Sequence, residues 1–225
     1  MLMLPFDAQG RAPATLTDPF PRPSVDYDRA LRLADFAVAA VLLVVLAPLF
    51  LLIALLIVAS DGKSPLFAQC RLGQHGRVFA CWKFRTMVPD ADQRLAGLLA
   101  TTSLDWRLRH KLAADPRVTW LGRLLRRSSL DELPQLANVL IGDMSLVGVR
   151  PIVAAEVARY GRHFADYCRQ RPGLTGVWQV NGRSMTTYRR RLACDRVMAR
   201  RRSPNLYARI LIATIPTVFL ARGAC

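Results

Sequence analysis

The chain has 225 residues, 52% of them hydrophobic, and a formal net charge of +16. Its 32 basic residues, 29 of them Arg, stand against 16 acidic ones, a balance that points to nucleic acid, anionic lipid or a nucleotide as partner, although genomic base composition is a blander source of the same bias. Cys70, Cys81, Cys168, Cys194 and Cys225 form no Cys-x-x-Cys pair and no Cys/His metal spacing, which argues against zinc and against a disulfide framework and fits a reducing compartment.

In chain order, residues 1–25 are Pro-rich and aperiodic and read as a flexible tail. Charge then vanishes over Phe36–Ala59, FAVAAVLLVVLAPLFLLIALLIVA. As a helix this run is about 36 Å long at roughly 1.5 Å per residue, enough for a hydrocarbon core. It is too long for a signal-peptide core, and apolar on every face, unlike most buried core helices. Pro48 in its middle predicts a kink. Arg22, Arg29 and Arg32 precede the run, and Lys63, Arg71, Arg77 and Lys83 follow it. Two basic flanks fit a hairpin that enters and leaves on the cytoplasmic side; a plain span is the competing reading. A segment of this kind argues against a soluble nucleic-acid binder.

Phe67–Met87 holds two β-like runs around Gly73-Gln74-His75-Gly76 and predicts a small hairpin. Lys83 and Arg85 would share one face of its second strand. Asp90–Arg127 reads as helical and basic. Next comes Ser129–Pro151, SLDELPQLANVLIGDMSLVGVRP, with the adjacent carboxylates Asp131 and Glu132, then Asp143 and Arg150. Glu occurs only twice in the chain, at Glu132 and Glu156. A carboxylate pair among arginines suggests chemistry on an anion, with a metal ion or a nucleophilic acid at its centre. The same residues also fit helix capping, by a Ser129/Glu132 capping box or by Asp131 as N-cap with Pro134 as the third residue of the helix, which is expected to end at Gly142. Val153–Arg171 predicts another helix, and Arg171–Arg183, RPGLTGVWQVNGR, short extended pieces between turns. Tyr207–Leu220 is apolar, short for a span, and interrupted by Pro216, so it is expected at the interface or packed on the domain. His75, His110 and His163 lie in polar surroundings and read as surface residues.

Three blocks agree: Lys83–Met87 (KFRTM), Asp115–Pro151 and Arg171–Arg183. In that order they resemble the bacterial sugar transferase family, the small monotopic phosphoglycosyl transferases. The likeness runs from about Arg29 to the C-terminus and looks most like the galactose-1-phosphate transferases of exopolysaccharide assembly. It implies a mainly helical α+β fold, monotopic and membrane-anchored. A re-entrant helix would occupy 26–62, and a cytoplasmic catalytic domain with a β-hairpin and an interfacial C-terminal segment would occupy 63–225. The expected location is the cytoplasmic face of the bacterial inner membrane. The implied reaction moves a sugar-1-phosphate from a UDP-sugar to polyprenyl (undecaprenyl) phosphate and releases UMP.

By position, the resemblance makes Asp131 the nucleophile and Glu132 its partner, with Mg²⁺ at this dyad. It assigns Lys83, Arg85, Arg126, Asp143, Arg150 and Arg183 to substrate phosphates or to holding the site. Membrane lipid is an expected partner, nucleic acid is not, and a homodimer is compatible. A non-catalytic, membrane-anchored polyanion-binding scaffold is the alternative. Three departures from the family stand out: Gly148-Val149-Arg150-Pro151 for Gly-Pro-Arg-Pro, Lys63-Ser64-Pro65 after the membrane run, and Ala208-Arg209 where an Asp is common. The first frees φ at Val149 and is expected to loosen the placement of Arg150. No stretch reads the identity of the sugar.

Overall fold

The computed structural model describes residues 25–101, 115–182, 187–200 and 203–219. The expected tail through Ser24, the basic residues Arg107, Arg109 and Lys111, His110, Arg183 and Cys225 lie outside them. Over the described residues the chain is mainly helical, with one small antiparallel hairpin.

The apolar run forms two helices, α1 (Val25–Val45) and α2 (Ala47–Asp61), which meet at 60°. The break falls at Leu46 (φ −89°, ψ 0°), with Pro48 at the second position of α2. Proline has no N–H for the carbonyl of Val44, so α1 cannot run on; Leu46 N–H closes α1 on Leu42 and Phe50 N–H opens α2 on Leu46. No single helix among the described residues is long and apolar enough to cross a membrane; the bent pair together is. One face of the pair packs inward through Ala39, Ile53 and Ile57, while Val41, Val44, Val45, Leu51, Leu52 and Leu55 are exposed.

The hairpin follows as expected: β1 (Leu66–Leu72) pairs antiparallel with β2 (Val78–Phe84), in register from Leu66 opposite Phe84 to Leu72 opposite Val78. Helices α3 (Ala91–Thr101), α4 (Trp120–Ser128) and α5 (Gln135–Ile141) come next, with Gly142 ending α5 in the left-handed region at φ 102°, where a residue without Cβ costs least. A second, parallel pair was not foreseen: β3 (Ser145–Val147) beside β4 (Gly173–Thr175). It depends on glycine, since a Cβ on Gly148 would lie 2.6 Å from Gly173 N.

The single helix expected over Val153–Arg171 is corrected to short pieces: 3₁₀ turns at Ala154–Glu156 and Gly161–His163, α6 (Val157–Tyr160) and α7 (Phe164–Cys168). Gly161, at φ 50° and ψ −130°, interrupts the α path. The extended pieces expected around residues 173–183 are β4 followed by one helical turn, α8 (Val177–Val180). Two longer helices, α9 (Tyr188–Arg200) and α10 (Pro204–Phe219), complete the description; α10 carries Pro216 within it and leaves Ile212 and Ile215 exposed.

The main core gathers Leu136 and Val139 of α5, Met144 and Leu146, Val149, Ile152, and the T-shaped pair Tyr160 and Tyr167. Ala39 of α1 belongs to that core, so α1 is not a separate packing unit. Two of its charged residues make the joint. Arg32 donates to the carbonyls of Val139 and of Leu140 (2.6 Å), which terminate α5. Asp35, only 3% exposed, accepts from Leu146 N–H at 3.0 Å and from the Tyr207 hydroxyl of α10.

Removing the Asp35 carboxylate strands both donors in the interior. Asp35→Ala is expected to destabilise the detergent-solubilised protein by about 1–3 kcal/mol for each donor left unpaired, and Asp35→Asn, which keeps an acceptor, by less. Thermal melting of the two variants checks this; equal losses would show that the charge, not the hydrogen bonds, holds the joint.

Candidate active site

The carboxylate pair lies at the hinge between α4 and α5. Thr119 caps α4, accepting from Gly122 N–H at 2.9 Å. Ser129 ends it in the left-handed region, φ 59°, an uncommon conformation for a residue with Cβ. A single 3₁₀ turn, Leu130–Glu132, then leads through Pro134 into α5. Both capping readings are thereby corrected: neither Ser129 nor Asp131 makes a side-chain cap, because Ser129 already serves as the C-cap of α4 and the Glu132 side chain turns to β2. Leu130 and Leu133, which bracket the dyad, pack against a cluster that includes Ile53 and Ile57 of α2 and Phe84 of β2.

The two acids are handled differently. Glu132 Oε1 accepts from Lys83 Nζ at 2.6 Å, with Arg150 Nη1 3.7 Å away. Burial works against the Glu132 anion, but Lys83, Arg150 and Arg71 outweigh it and hold the group below the usual glutamate range. Asp131 is buried, 8% exposed, and no side chain among the described residues donates a hydrogen bond to it. Burial, reinforced by the neighbouring Glu132 charge, pushes it well above the usual aspartate range; Lys83, Arg126 and Arg150 pull the other way.

Lys83 and Arg150 therefore converge on Glu132. Arg126 donates to Thr86 Oγ1 at 2.9 Å and lies within electrostatic reach of Asp131. Arg85 does not join them. It donates to the Asp61 carboxylate, to Ser64 O at 2.7 Å and to Lys63 O at 3.2 Å, tying the end of α2 to the hairpin. Asp143 follows the far end of α5, about 10 Å along the axis at roughly 1.5 Å per residue, with its N–H on Asn138 O. Arg150 is steadied despite Val149: that residue is fully buried, bridges Pro172 in parallel, and accepts from Gly173 N–H at 2.7 Å.

A cleft of about 250 Å³, counting the solvent at its mouth, opens beside Glu132 and is lined by Arg71, Lys83, Glu132, Gln135, Arg150 and Gln179, with Gly173 and Leu174 at its side; Asp131, the other half of the dyad, is not among the residues that line it. Arg71 and Gln179 were missed as site residues. The sequence placed Arg71 among the basic flanks of the apolar run; in the hairpin register it lies opposite Phe79 while Lys83 lies opposite Phe67, so period-2 alternation on the shared face was the signal that could have linked the two. Behind the cleft, Arg150 and Arg191 both lie over the Trp178 ring at 5.4 Å, and Arg191 pairs with Glu156 at 3.2 Å.

No group of three or more His, Cys, Asp or Glu side chains among the described residues forms a ready metal cage. Mg²⁺ needs none: it commonly takes one or two carboxylates and completes its shell with water and substrate phosphates. Asp131 with the Glu132 oxygen not bound to Lys83 fits that donor set.

The sequence profile of the bacterial sugar transferases matches residues 27–221. The exopolysaccharide production protein ExoY of Rhizobium meliloti is 44% identical over 198 residues, 87% of this chain and 88% of that protein. The undecaprenyl-phosphate galactose phosphotransferase of Salmonella typhimurium is 42% identical over 167 residues, 73% of this chain but 35% of its own length. The UDP-glucose:undecaprenyl-phosphate glucose-1-phosphate transferase of Caulobacter vibrioides is 37% identical over 223 residues, 93% of this chain and 77% of that protein.

The strained Asp131 charge has a stability consequence. A carboxyl raised in the folded state binds a proton more tightly there than in the unfolded chain. Its favourable contribution is complete below the ordinary carboxylate range near pH ~4 and is lost as pH rises through the raised value. Asp131→Asn removes the anion, so in metal-free buffer it is expected to stabilise the protein by about 1–3 kcal/mol at pH 7.5. The gain should shrink towards zero near pH 4. Melting temperatures of the two proteins across that range check the sign; a variant less stable at pH 7.5 would show that Asp131 is a net stabilising anion.

Proposed function

The chain belongs to the bacterial sugar transferase family, and on that premise we propose that it transfers a sugar-1-phosphate from a UDP-sugar to a polyprenyl phosphate in exopolysaccharide synthesis. The observation that carries this reading is the asymmetry of the dyad. Glu132 is tied to Lys83, whereas Asp131 accepts no side-chain hydrogen bond among the described residues and has Lys83, Arg126 and Arg150 within electrostatic reach. A free, desolvated carboxylate is the better nucleophile of the two.

In the proposed sequence an Asp131 oxygen attacks the sugar-bearing phosphorus. The bond from that phosphorus to the bridging oxygen breaks, and UMP leaves with the electron pair. An oxygen of the polyprenyl phosphate then attacks the same phosphorus and displaces the Asp131 carboxylate, giving the polyprenyl-diphospho-sugar. Lys83 and Arg150 offset the repulsion between carboxylate and diphosphate; Arg126 supports the Asp131 anion. Mg²⁺, held by Asp131 and Glu132, would neutralise phosphate charge. The relatives named above act on galactose and glucose, so the sugar here is a question for a panel of UDP-sugars.

The lipid acceptor calls for a site at the bilayer. The bent pair α1–α2 presents exposed apolar residues on one side, and α2 packs directly beneath the dyad. These features support reading the pair as a re-entrant anchor on the cytoplasmic face of the inner membrane, which would hold the cleft at the headgroup plane, where the acceptor's phosphate lies.

Membranes containing the protein are expected to release UMP from a UDP-sugar in a Mg²⁺- and polyprenyl-phosphate-dependent manner, and Asp131→Asn to lose on the order of a thousandfold or more in kcat. Wild-type UMP release by folded Asp131→Asn would remove Asp131 from the chemistry; no UMP release from the wild type with any UDP-sugar would remove the function. For the anchor, Ser24→Cys and Lys63→Cys, each in a Cys70→Ser background, are expected to react with an impermeant maleimide only from the cytoplasmic side. Labelling from opposite sides would establish a span.

A further inference from the structure

Arg71 stands out among the cleft cations because its position is built. Its Nε and Nη2 donate to Gln69 Oε1 at 3.1 and 2.6 Å, and its Nη1 donates to the Pro151 carbonyl at 2.9 Å. Arg has five N–H donors in a planar fork. These contacts use three; the second N–H of Nη1 has Glu156 Oε2 3.9 Å from its nitrogen, and one N–H of Nη2 has no partner among the described residues. The side chain is 13% exposed, and that exposure is into the cleft it lines with Lys83, Glu132 and Arg150.

The local charge does not close. Lys83 and Arg150 both face the single Glu132 oxygen. The carboxylate nearest Arg71, Glu156, is shared with Arg191, to which it is closer, 3.2 Å against 3.9 Å. Three cations, Arg71, Lys83 and Arg150, thus line a cleft that holds one glutamate. Burial and the neighbouring Arg150 charge both press on the Arg71 cation, a cost that an incoming anion would relieve. Arginines held only by carbonyls can be structural, as Arg32 is on Val139 and Leu140; Arg71 differs in lining a cleft, where a neutral amide and a carbonyl fix its direction without cancelling its charge. Such pre-organisation lowers the entropy lost when an anion binds.

We propose that Arg71 is a phosphate-contacting residue of the cleft, holding the diphosphate of a nucleoside diphosphate together with Arg150. Gln69 and the Pro151 carbonyl are its positioning partners. The inference rests on the reading of the cleft as a nucleotide-sugar site, and the assignment of Arg71 goes beyond the dyad chemistry.

Calorimetric titration of the detergent-solubilised full chain with UDP tests it. Arg71→Met is expected to weaken UDP binding about tenfold or more. Arg71→Lys, which keeps the charge but not the pinned fork, is expected to weaken it about threefold or more. Gln69→Ala, which frees the fork without touching its charge, should weaken UDP and lower the apparent affinity for the UDP-sugar while leaving kcat within about twofold. UDP affinity unchanged in Arg71→Met overturns the proposal. Should that variant fail to fold, unchanged affinity in Arg71→Lys overturns it instead. A wild-type protein that binds no UDP at millimolar concentration overturns the nucleotide-sugar reading and this inference with it, whereas wild-type binding with an indifferent Arg71 overturns this inference alone.

Discussion

The two ends of α5 set most of the other constraints in this molecule. A helix leaves carbonyls unpaired at its C-terminus and N–H groups unpaired at its N-terminus, and a short helix in a core cannot leave the former to water. Arg32, reaching from α1, supplies donors to the last carbonyls of α5. At the other end Pro134 opens the helix, where its missing N–H costs nothing, and the preceding turn carries Asp131 and Glu132. One face of α5 supplies Leu136 and Val139 to the main core, and Asn138 bonds both the N–H of Trp82 and the carbonyl of Ala80. The dyad is therefore held against β2, where Lys83 sits, and against α2 below it. Placing the bent helices and placing the carboxylates are one structural problem.

That coupling explains why the electrostatics of the dyad can be lopsided. Two adjacent carboxylates out of bulk water repel, and the simplest relief is to give one a strong partner and let the other bear the cost. Lys83 and Arg150 side with Glu132. Asp131 has only distributed support from Arg126, Lys83 and Arg150, and no hydrogen bond from a described side chain. Holding a buried carboxylate with so little support costs stability, and groups perturbed in this way are common where residues react.

Much of this was legible in the sequence, for reasons that differ by element. The helix break at Pro48 and the hairpin around Gly73–Gly76 follow from local backbone chemistry, so they could be read without knowing the fold. The dyad and its nearest cations, Lys83, Arg126 and Arg150, were identified by motif, and the structure brings those side chains together. The β3–β4 pair was not legible: its strands are three residues each, are separated by some two dozen residues, and depend on a glycine-to-glycine approach that no periodicity signals. Strand alternation puts Arg85 on the face of Lys83, but the strand ends at Phe84 and the chain then turns Arg85 towards Asp61. The two basic flanks of the apolar run suggest a hairpin by the positive-inside rule; in the structure Arg71 and Lys83 line the cleft, and Arg32 of the preceding flank bonds the end of α5. A flank of cations therefore says little about topology until its partners are known.

The scarcity of glutamate acquires a meaning once the partners are known. Both Glu residues lie in the arginine network at the cleft: Glu132 against Lys83 and Arg150, Glu156 against Arg191 and Arg71. Most of the described aspartates that pair with Arg are local or peripheral, as Asp115 with Arg117 or Asp90 with Arg94. Glu156 is fixed from two directions, since its Oε2 also accepts from Val153 N–H at 3.2 Å, so it cannot swing into the cleft to neutralise Arg150. The result is a wall of guanidiniums with the Glu156 counter-charge behind it, joined through Trp178, whose ring takes Arg150 and Arg191 together. In a chain carrying +16, placing Glu156 behind the arginines and leaving Glu132 as the glutamate of the cleft keeps a positive field facing the cleft, where an anionic substrate would meet it.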